Sequence, residues 1–416
     1  MSQPHGIHAR RAALQMLDAV FRRGETVDWA QKSALRLVRK SEDKKLALAI
    51  TNEVLRWATS LDSMIDSVTS HPLPKDAKAR MVLRLMLCQV LILNTPAHAV
   101  IATGLHLLKG GPRRLAHGVF SKVLKQGQKL PVSPTLPAHV IDRWGPLKAS
   151  EIARGLVEAP SVDLTLKDPS QTEIMAVKLG AESFAPGHLR ISRGNIVESI
   201  DGFQEGEWWV QDLAASLPVR LLGYGDGRHA LDMCAAPGGK TMQLSANGWQ
   251  VTSLDISQSR LDLLRANLTR TNLKASLVRS DVLKWKPKYR YDAILLDAPC
   301  TATGTIRRHP DVVHRVQPHQ ITDLSVLQRE MIRRAYDWLK PGGEFIYAVC
   351  SLEDEEGEQQ AIWIDENFSL SPKPIEFTEL PLDITPTPRG WISVHPGMLG
   401  DEGGLDGFFV ARWVKP

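Results

Sequence analysis

Apolar positions in the first 130 residues recur at helical intervals. In "RRAALQMLDAVFRR" (10–23), Ala13, Met16, Leu17 and Val20 fall on one face. In "DKKLALAITNEVLRWATSLDSMIDSV" (43–68), the same spacing turns Leu46, Ile50, Val54, Leu55 and Trp57 toward a core. "PKDAKARMVLRLMLCQVLILN" (74–94) is more apolar still and predicts a central helix that ends before Pro96. Cys88 lies among Leu85, Leu87, Leu91 and Ile92, where a thiol reads as buried and inert. The proline-rich "KLPVSPTLPAHV" then marks a linker, set at 131–140.

The pattern shortens over 141–225. "IDRWGPLKASEIARGLVEA" is helical, and "VDLTLK", "HLRIS" and "IVESI" are β-like. "GEWWVQDLAASLPVRLLG" reads as an aromatic strand entering a helix, so a small α+β unit is expected. From 226 strands and helices alternate. "HALDM" precedes the Gly-rich turn "CAAPGGK"; "QVTSLDIS" ends near Asp255; "KASLVRSD" ends in Asp281; "YDAILLD" ends in Asp297. A helix closed by "KPGG" leads to "EFIYAVC", and the chain finishes in a hairpin-like antiparallel edge. This alternation predicts a parallel, doubly wound α/β sheet over 226–416. The expected fold is therefore multidomain: all-α over 1–130, small α+β over 141–225, and α/β over 226–416.

Composition narrows the setting. A chain of 416 residues is too long for one ordinary core. It has no run of 18 apolar residues, and "MSQPHGIHAR" lacks the charged start and apolar stretch of a secretory signal. Four cysteines, none in a CxxC or His-rich pattern, argue for a reducing, cytoplasmic compartment and against a metal site. The net charge is +5, but residues 1–130 hold 21 Lys and Arg against 9 Asp and Glu, so the remainder is net acidic. Residues 101–130 contain no acid, while Lys109, Arg113, Arg114, Lys122, Lys125 and Lys129 are basic. Such a one-sided module suits a polyanion such as RNA, against the plainer alternative of a solvated helical surface.

The candidate chemistry falls on one sheet edge. Ligands of open α/β sheets bind beyond the carboxyl ends of the strands. Those ends carry the 234–240 turn, Asp255, Asp281, Asp297–Cys300 and Cys350–Ser351. The turn resembles the end of a P-loop, but the required first glycine is Cys234, and no G-x-G-x-x-G is present. Gly238 and Gly239 still allow a close backbone approach. Asp255 suits a ribose diol and Asp281 an adenine amino group, a combination that fits S-adenosylmethionine without a phosphate cradle. Each acid alone reads equally well as a loop cap.

Carbon 5 of cytosine is a weak nucleophile. A thiolate that adds to carbon 6 makes carbon 5 enamine-like and able to take a methyl group. Asp297 could hydrogen-bond the pyrimidine edge, and a second thiol could assist release. If the fourth and fifth strands are neighbours, Cys300 and Cys350 share one cleft. Pro299 then fixes the turn that presents Cys300 beyond its strand. The residues alone leave open which thiol attacks.

The motifs "LDMCAAPGGKT", "LDISQSRL", "LLDAPCTATGTIRRHPD", "YAVCSLEDEEGE" and "DGFFVARW" resemble the NOL1/NOP2/Sun family of RNA 5-methylcytosine methyltransferases. The resemblance implies that Cys234, Ala235, Ala236, Pro237, Gly238, Gly239, Lys240, Asp255, Asp281 and Asp297 hold S-adenosylmethionine. It implies Cys350 as nucleophile and Cys300 as the thiol that releases product, with Lys240 orienting Asp297 or the methionine end. It implies a NusB-like helical RNA-binding fold for 1–130 and an RRM-like insert for 141–225. The "TATGTIRRHPD" extension points within the family to enzymes of 16S (small-subunit) ribosomal RNA. A transfer RNA substrate is the runner-up, and a non-catalytic RNA-binding or ribosome-assembly protein is the alternative of another class. Val349-Cys350-Ser351 departs from the family's usual Thr-Cys-Ser, and Glu355-Glu356-Gly357 from its Glu-Glu-Asn; neither touches a thiol. RNA contacts are expected from the basic module and from Arg307, Arg308 and His309, the target cytosine being unstacked to reach the thiol. A monomer is expected.

Overall fold

The helical spacing of the N-terminal part is realised as α1 (Ile7–Arg23), α2 (Val27–Ala34), α3 (Ser41–Asp66), α4 (Lys78–Leu91), α5 (Ala97–Gly104), α6 (Gly110–Lys125), α7 (Ala138–Trp144) and α8 (Pro146–Arg154). The computed structural model describes residues 6–416 apart from 195 and 382–383, so the first half of "MSQPHGIHAR" lies outside the described residues. Every face residue expected from α1 is buried, and so are Ile50, Val54, Leu55 and Trp57 of α3; Leu46 packs half-buried against them. α4 is the centre of this core, with Leu83, Leu85 and Leu87 fully buried. Each such side chain contributes about 1.5–3 kcal/mol through the apolar surface it removes from water. Cys88 is fully buried, and burial pushes its thiol well above the ordinary range, which leaves it inert.

The chain forms two compact units. The first runs to Glu158 and takes in Ile306–Val316; the second is Ala159–Thr305 with Gln317–Pro416. The division therefore falls after α8 and not at the proline-rich stretch. Hydrogen bonds explain this. The Arg56 guanidinium of α3 donates to the Leu156 carbonyl at 3.3 Å and to the Arg307 carbonyl at 3.1 Å. The segment 306–316, with the single turn α13 (Val312–Arg315), buries Ile306, Val312 and Val313. His314 sits 2.7 Å from the Leu55 carbonyl, and burial lowers its pKa to about 4, so a neutral imidazole donates there.

The second unit begins with β1 (Val162–Leu166), α9 (Thr172–Leu179), β2 (His188–Ile191) and β3 (Trp208–Val210), a three-stranded antiparallel sheet in the order β2-β1-β3. The expected strand "IVESI" is instead a 3-10 turn at Val197–Ser199. Its amides bond locally, Ser199 N–H to Ile196 and Ile200 N–H to Val197, and so join no ladder. Asp163 of β1 accepts from the Arg190 guanidinium at 2.7 and 2.8 Å and from the Leu213 amide at 3.0 Å. That last bond ties the small sheet to α10 (Leu213–Leu222).

The large sheet follows: β4 (His229–Met233), α11 (Gly239–Ala246), β5 (Gln250–Asp255), α12 (Gln258–Thr271), β6 (Ser276–Arg279), β7 (Tyr291–Asp297), α14 (Pro318–Trp338), β8 (Leu339–Val349), α15 (Glu358–Asn367), β9 (Ser371–Pro372), β10 (Ile392–Val394) and β11 (Phe408–Val414). Its order is β10-β11-β8-β7-β4-β5-β6, with β9 pairing to β11. β4 to β8 are parallel, and β11 and β10 are antiparallel, as the terminal hairpin pattern predicts. β8 starts at Leu339, so the "KPGG" expected to close the helix lies within the strand. The chain leaves β4 toward β5 and β6, then crosses to β7 on the other side. The strand order therefore reverses between β4 and β7, where such sheets open a crevice.

Candidate active site

The residues that the sequence marks at the ends of β4, β5, β6, β7 and β8 lie along one edge of this sheet. The 234–240 turn leaves β4 with Cys234 at φ 64° and reaches α11 through Gly238 at φ 111°. A side chain at Gly238 would be strained by that φ and would also run into Leu264, so only glycine lets α12 pack this closely. Asp255, at the end of β5, is buried and holds the turn. It accepts from the Ala236 amide at 3.2 Å and from the Ser257 amide at 2.8 Å. Asp281 accepts from the Leu283 amide at 2.9 Å. Both acids thus act as local caps while standing at the strand ends expected to meet a nucleoside.

Lys240, in the first turn of α11, donates to Asp297 at 2.7 Å and lies 5.0 Å from the Phe408 ring centroid. Burial alone would lower its pKa; the charge of the Asp297 carboxylate and its hydrogen bond outweigh this and hold the lysine charged. β7 and β8 are neighbours, and they bring Cys300 and Cys350 to 3.5 Å between sulfurs, both partly exposed. A hydrogen bond to Cys350, burial, and the charges of Cys350 and Glu356 all push the Cys300 thiol well up. Cys234 is different: burial and the carboxylates of Asp297 and Asp255 keep it a neutral thiol.

Gly304 lets the two cysteine loops meet. Its amide donates to the Cys350 carbonyl at 3.0 Å and its carbonyl accepts from the Gly407 amide at 2.8 Å. A Cβ at 304 would collide with the carbonyl oxygens of Gly407 and Cys350.

Three features escaped sequence reasoning. Asp232 of β4 is fully buried; its Oδ2 accepts from the Thr241 hydroxyl at 2.5 Å and its Oδ1 has no hydrogen-bond partner among the described residues. Its place one residue inside the strand end was the available signal. Trp209 and Gln211 lie behind the turn. Trp209 packs with Ala235, Ala236 and Leu264, and its indole N–H donates to Gln211 at 2.7 Å. Glu356 is buried between the two cysteine loops; the sequence placed it in a family motif but gave it no role.

Arg307 requires a correction. Its side chain is 3% exposed within the helical unit, so it cannot serve as an open phosphate contact; Arg308 is exposed. Among the described residues no three His, Cys, Asp or Glu are grouped to hold a metal ion, and no helix is long and apolar enough to cross a membrane.

Comparison with known proteins gives two family matches. Residues 219–413 match the family described as 16S rRNA methyltransferase RsmB/F, and residues 7–119 match the NusB family. The chain is 30% identical over 438 residues to ribosomal RNA small subunit methyltransferase B of Klebsiella pneumoniae (strain 342), covering 98% of each. It is also 30% identical to the protein of that name from Salmonella arizonae, again over 98% of each. Among solved structures, PH0851 aligns at a TM-score of 0.73 with 20% identity over the whole of both chains. NSun6 from Pyrococcus horikoshii with SFG aligns at 0.57 with 18% identity, over 67% of this chain and 96% of that one. These two likenesses concern the fold.

Proposed function

The chain belongs to the RsmB/F 16S rRNA methyltransferase family, and from that premise we propose that it transfers a methyl group from S-adenosylmethionine to carbon 5 of a cytidine in small-subunit ribosomal RNA. The observation that carries this reading is the pair of thiols 3.5 Å apart at adjacent strand ends, in reach of the Lys240–Asp297 ion pair. The fit of the donor is supported by the orphaned buried oxygen of Asp232 at the end of β4, beside the strand-end acids Asp255 and Asp281. The 234–240 turn, Asp255, Asp281 and Asp297 would hold it. When bound it supplies an electrophilic methyl group on a sulfonium.

The residues of this chain divide the remaining work. Cys350 is the nucleophile. Lys240 faces Cys350, whereas Glu356 opposes negative charge at Cys300. The Cys350 thiolate adds to carbon 6 of the cytosine, and the electron pair of the 5,6 double bond becomes available at carbon 5. Asp297, held by Lys240, would hydrogen-bond the pyrimidine edge. After methylation the carbon 5 proton leaves to a base, the double bond re-forms and the carbon–sulfur bond to Cys350 breaks. Cys300 assists that release. The basic helical unit and Arg308 supply phosphate contacts that position the RNA.

Cys350→Ala is expected to abolish methyl transfer while RNA binding persists. Cys300→Ser is expected to accumulate a protein–RNA adduct that survives denaturing electrophoresis. Methyl transfer by the Cys350→Ala protein, or no adduct from Cys300→Ser beside an active wild type, would overturn the two-thiol scheme.

A further inference from the structure

We propose that Glu356 is the positioning residue of the thiol pair: a buried carboxylate that ties Thr301 to Ser351, the residues that directly follow Cys300 and Cys350, and thereby sets the spacing of the two sulfurs. The proposal rests on the two-thiol reading above and adds to it the group that builds the pair.

The geometry is specific. Glu356 is fully buried. Its carboxylate accepts from the Thr301 amide at 3.0 and 3.2 Å and from the Thr301 hydroxyl. It accepts from the Ser351 hydroxyl at 2.6 Å and from the Gln328 amide at 3.2 Å. Gln328 also donates to the Pro299 carbonyl at 3.0 Å, so the bend before Cys300 hangs on the same cluster. The Glu356 carbonyl in turn accepts from the Tyr347 hydroxyl at 2.6 Å. A single side chain thus joins the end of β7, the end of β8 and α14. Charge-assisted bonds of this kind are the strong ones, and a neutral isostere would meet donors on every side.

The carboxylate also acts on the protons. The titratable groups facing Cys300 are Cys350, Glu356 and Tyr347; Lys240 faces Cys350, and Glu353 faces Glu356. Cys300 therefore has anionic or neutral neighbours and Cys350 has a cation. Cys300 keeps its proton more firmly than an ordinary thiol, with its sulfur 3.5 Å from that of Cys350. Glu356 thus makes two chemically identical side chains unequal.

Two readouts on the full chain separate spacing from charge. Iodoacetamide alkylation of Cys300 and Cys350, followed by peptide mass spectrometry across pH, reports the charge asymmetry. Phenylarsine oxide, which bridges two adjacent thiols with loss of one water, reports the spacing. Glu356→Gln is expected to move the Cys300 alkylation profile to lower pH and to reduce the preference for Cys350 about tenfold. Glu356→Asp keeps the charge but falls one methylene short, and is expected to slow arsenical bridging about tenfold. A folded Glu356→Gln protein with the wild-type Cys300 profile overturns the proposal. Should that variant not fold, a Glu356→Asp protein that bridges as fast as wild type overturns it. Methyl transfer by the wild type, assayed in parallel, tests the function independently: its absence would sink that reading and leave both thiol readouts standing.

Discussion

Asp232→Asn should change how stability depends on pH, and the size of the change follows from burial. Asp232 has no exposed surface, and one oxygen lacks a partner. Burial, reinforced by Asp297 and Asp255 and opposed by Thr241 and Lys240, raises its pKa from 3.8 to about 7. Between those values the native protein keeps a proton that the unfolded chain has released. The associated stability is therefore complete below pH 4 and is lost as pH rises through 7. At about 1.4 kcal/mol per pKa unit, ionising this carboxyl in the fold costs about 4 kcal/mol. An asparagine does not titrate, and its carbonyl can still accept from Thr241. Its amide would lack an acceptor where Oδ1 now stands, a penalty of about 1–3 kcal/mol at every pH. The Asp232→Asn variant should thus be the less stable protein below pH 4. Between pH 5 and pH 8.5 it should gain on wild type by about 3 kcal/mol, and above that run parallel to it. Urea unfolding followed by tryptophan fluorescence at fixed ionic strength, on both proteins from pH 5 to 8.5, measures the difference directly. The comparison cancels the other titrating groups, which are shared. A difference that stays constant with pH, or that shrinks as pH rises, would refute the argument that this buried carboxyl holds its proton near neutrality.

The remaining expectations concern the loops and the RNA. Gly304→Ala should lower methyl incorporation more than a hundredfold, because the added methyl forces apart the loops that carry both thiols, and should cost about 1–3 kcal/mol of stability. Arg308→Ala should weaken RNA binding and reduce the slope of log affinity against log salt by about one, whereas Arg307→Ala should leave that slope alone and lower the melting temperature. Equal salt slopes for the two variants would contradict their assignment to surface and interior.

The large sheet was legible because its strands obey local rules: each apolar run ends in an acid or a thiol, and neighbouring ends necessarily share one edge. The 3.5 Å approach of Cys300 and Cys350 followed from that logic once β7 and β8 proved adjacent. The failures are non-local. Glu356 draws its meaning from Thr301, which is 55 residues away, and a run of acids in "LEDEEGE" gives no sign of which one is buried. Arg307 looked like a surface cation because its neighbours are charged, yet Ile306 and Val312 anchor the segment in a core it meets far from its place in sequence. "IVESI" failed for a local reason: its apolar residues do not alternate, and its amides close a turn. Asp255 and Asp281 are caps as well as strand-end acids, so the two readings weighed for them were not exclusive.

The detour of Ile306–Val316 has a consequence for anyone who would dissect this protein. The polypeptide passes between its two bodies at three places, after Glu158, after Thr305 and after Val316, not through one tether. A truncation ending at Glu158 would strip the helical body of part of its own interior, and a fragment beginning at Ala159 would carry an orphaned loop that starts six residues beyond Cys300. Swapping the helical part for another is therefore expected to yield insoluble protein. The joint is a graft, and it has to be inherited whole.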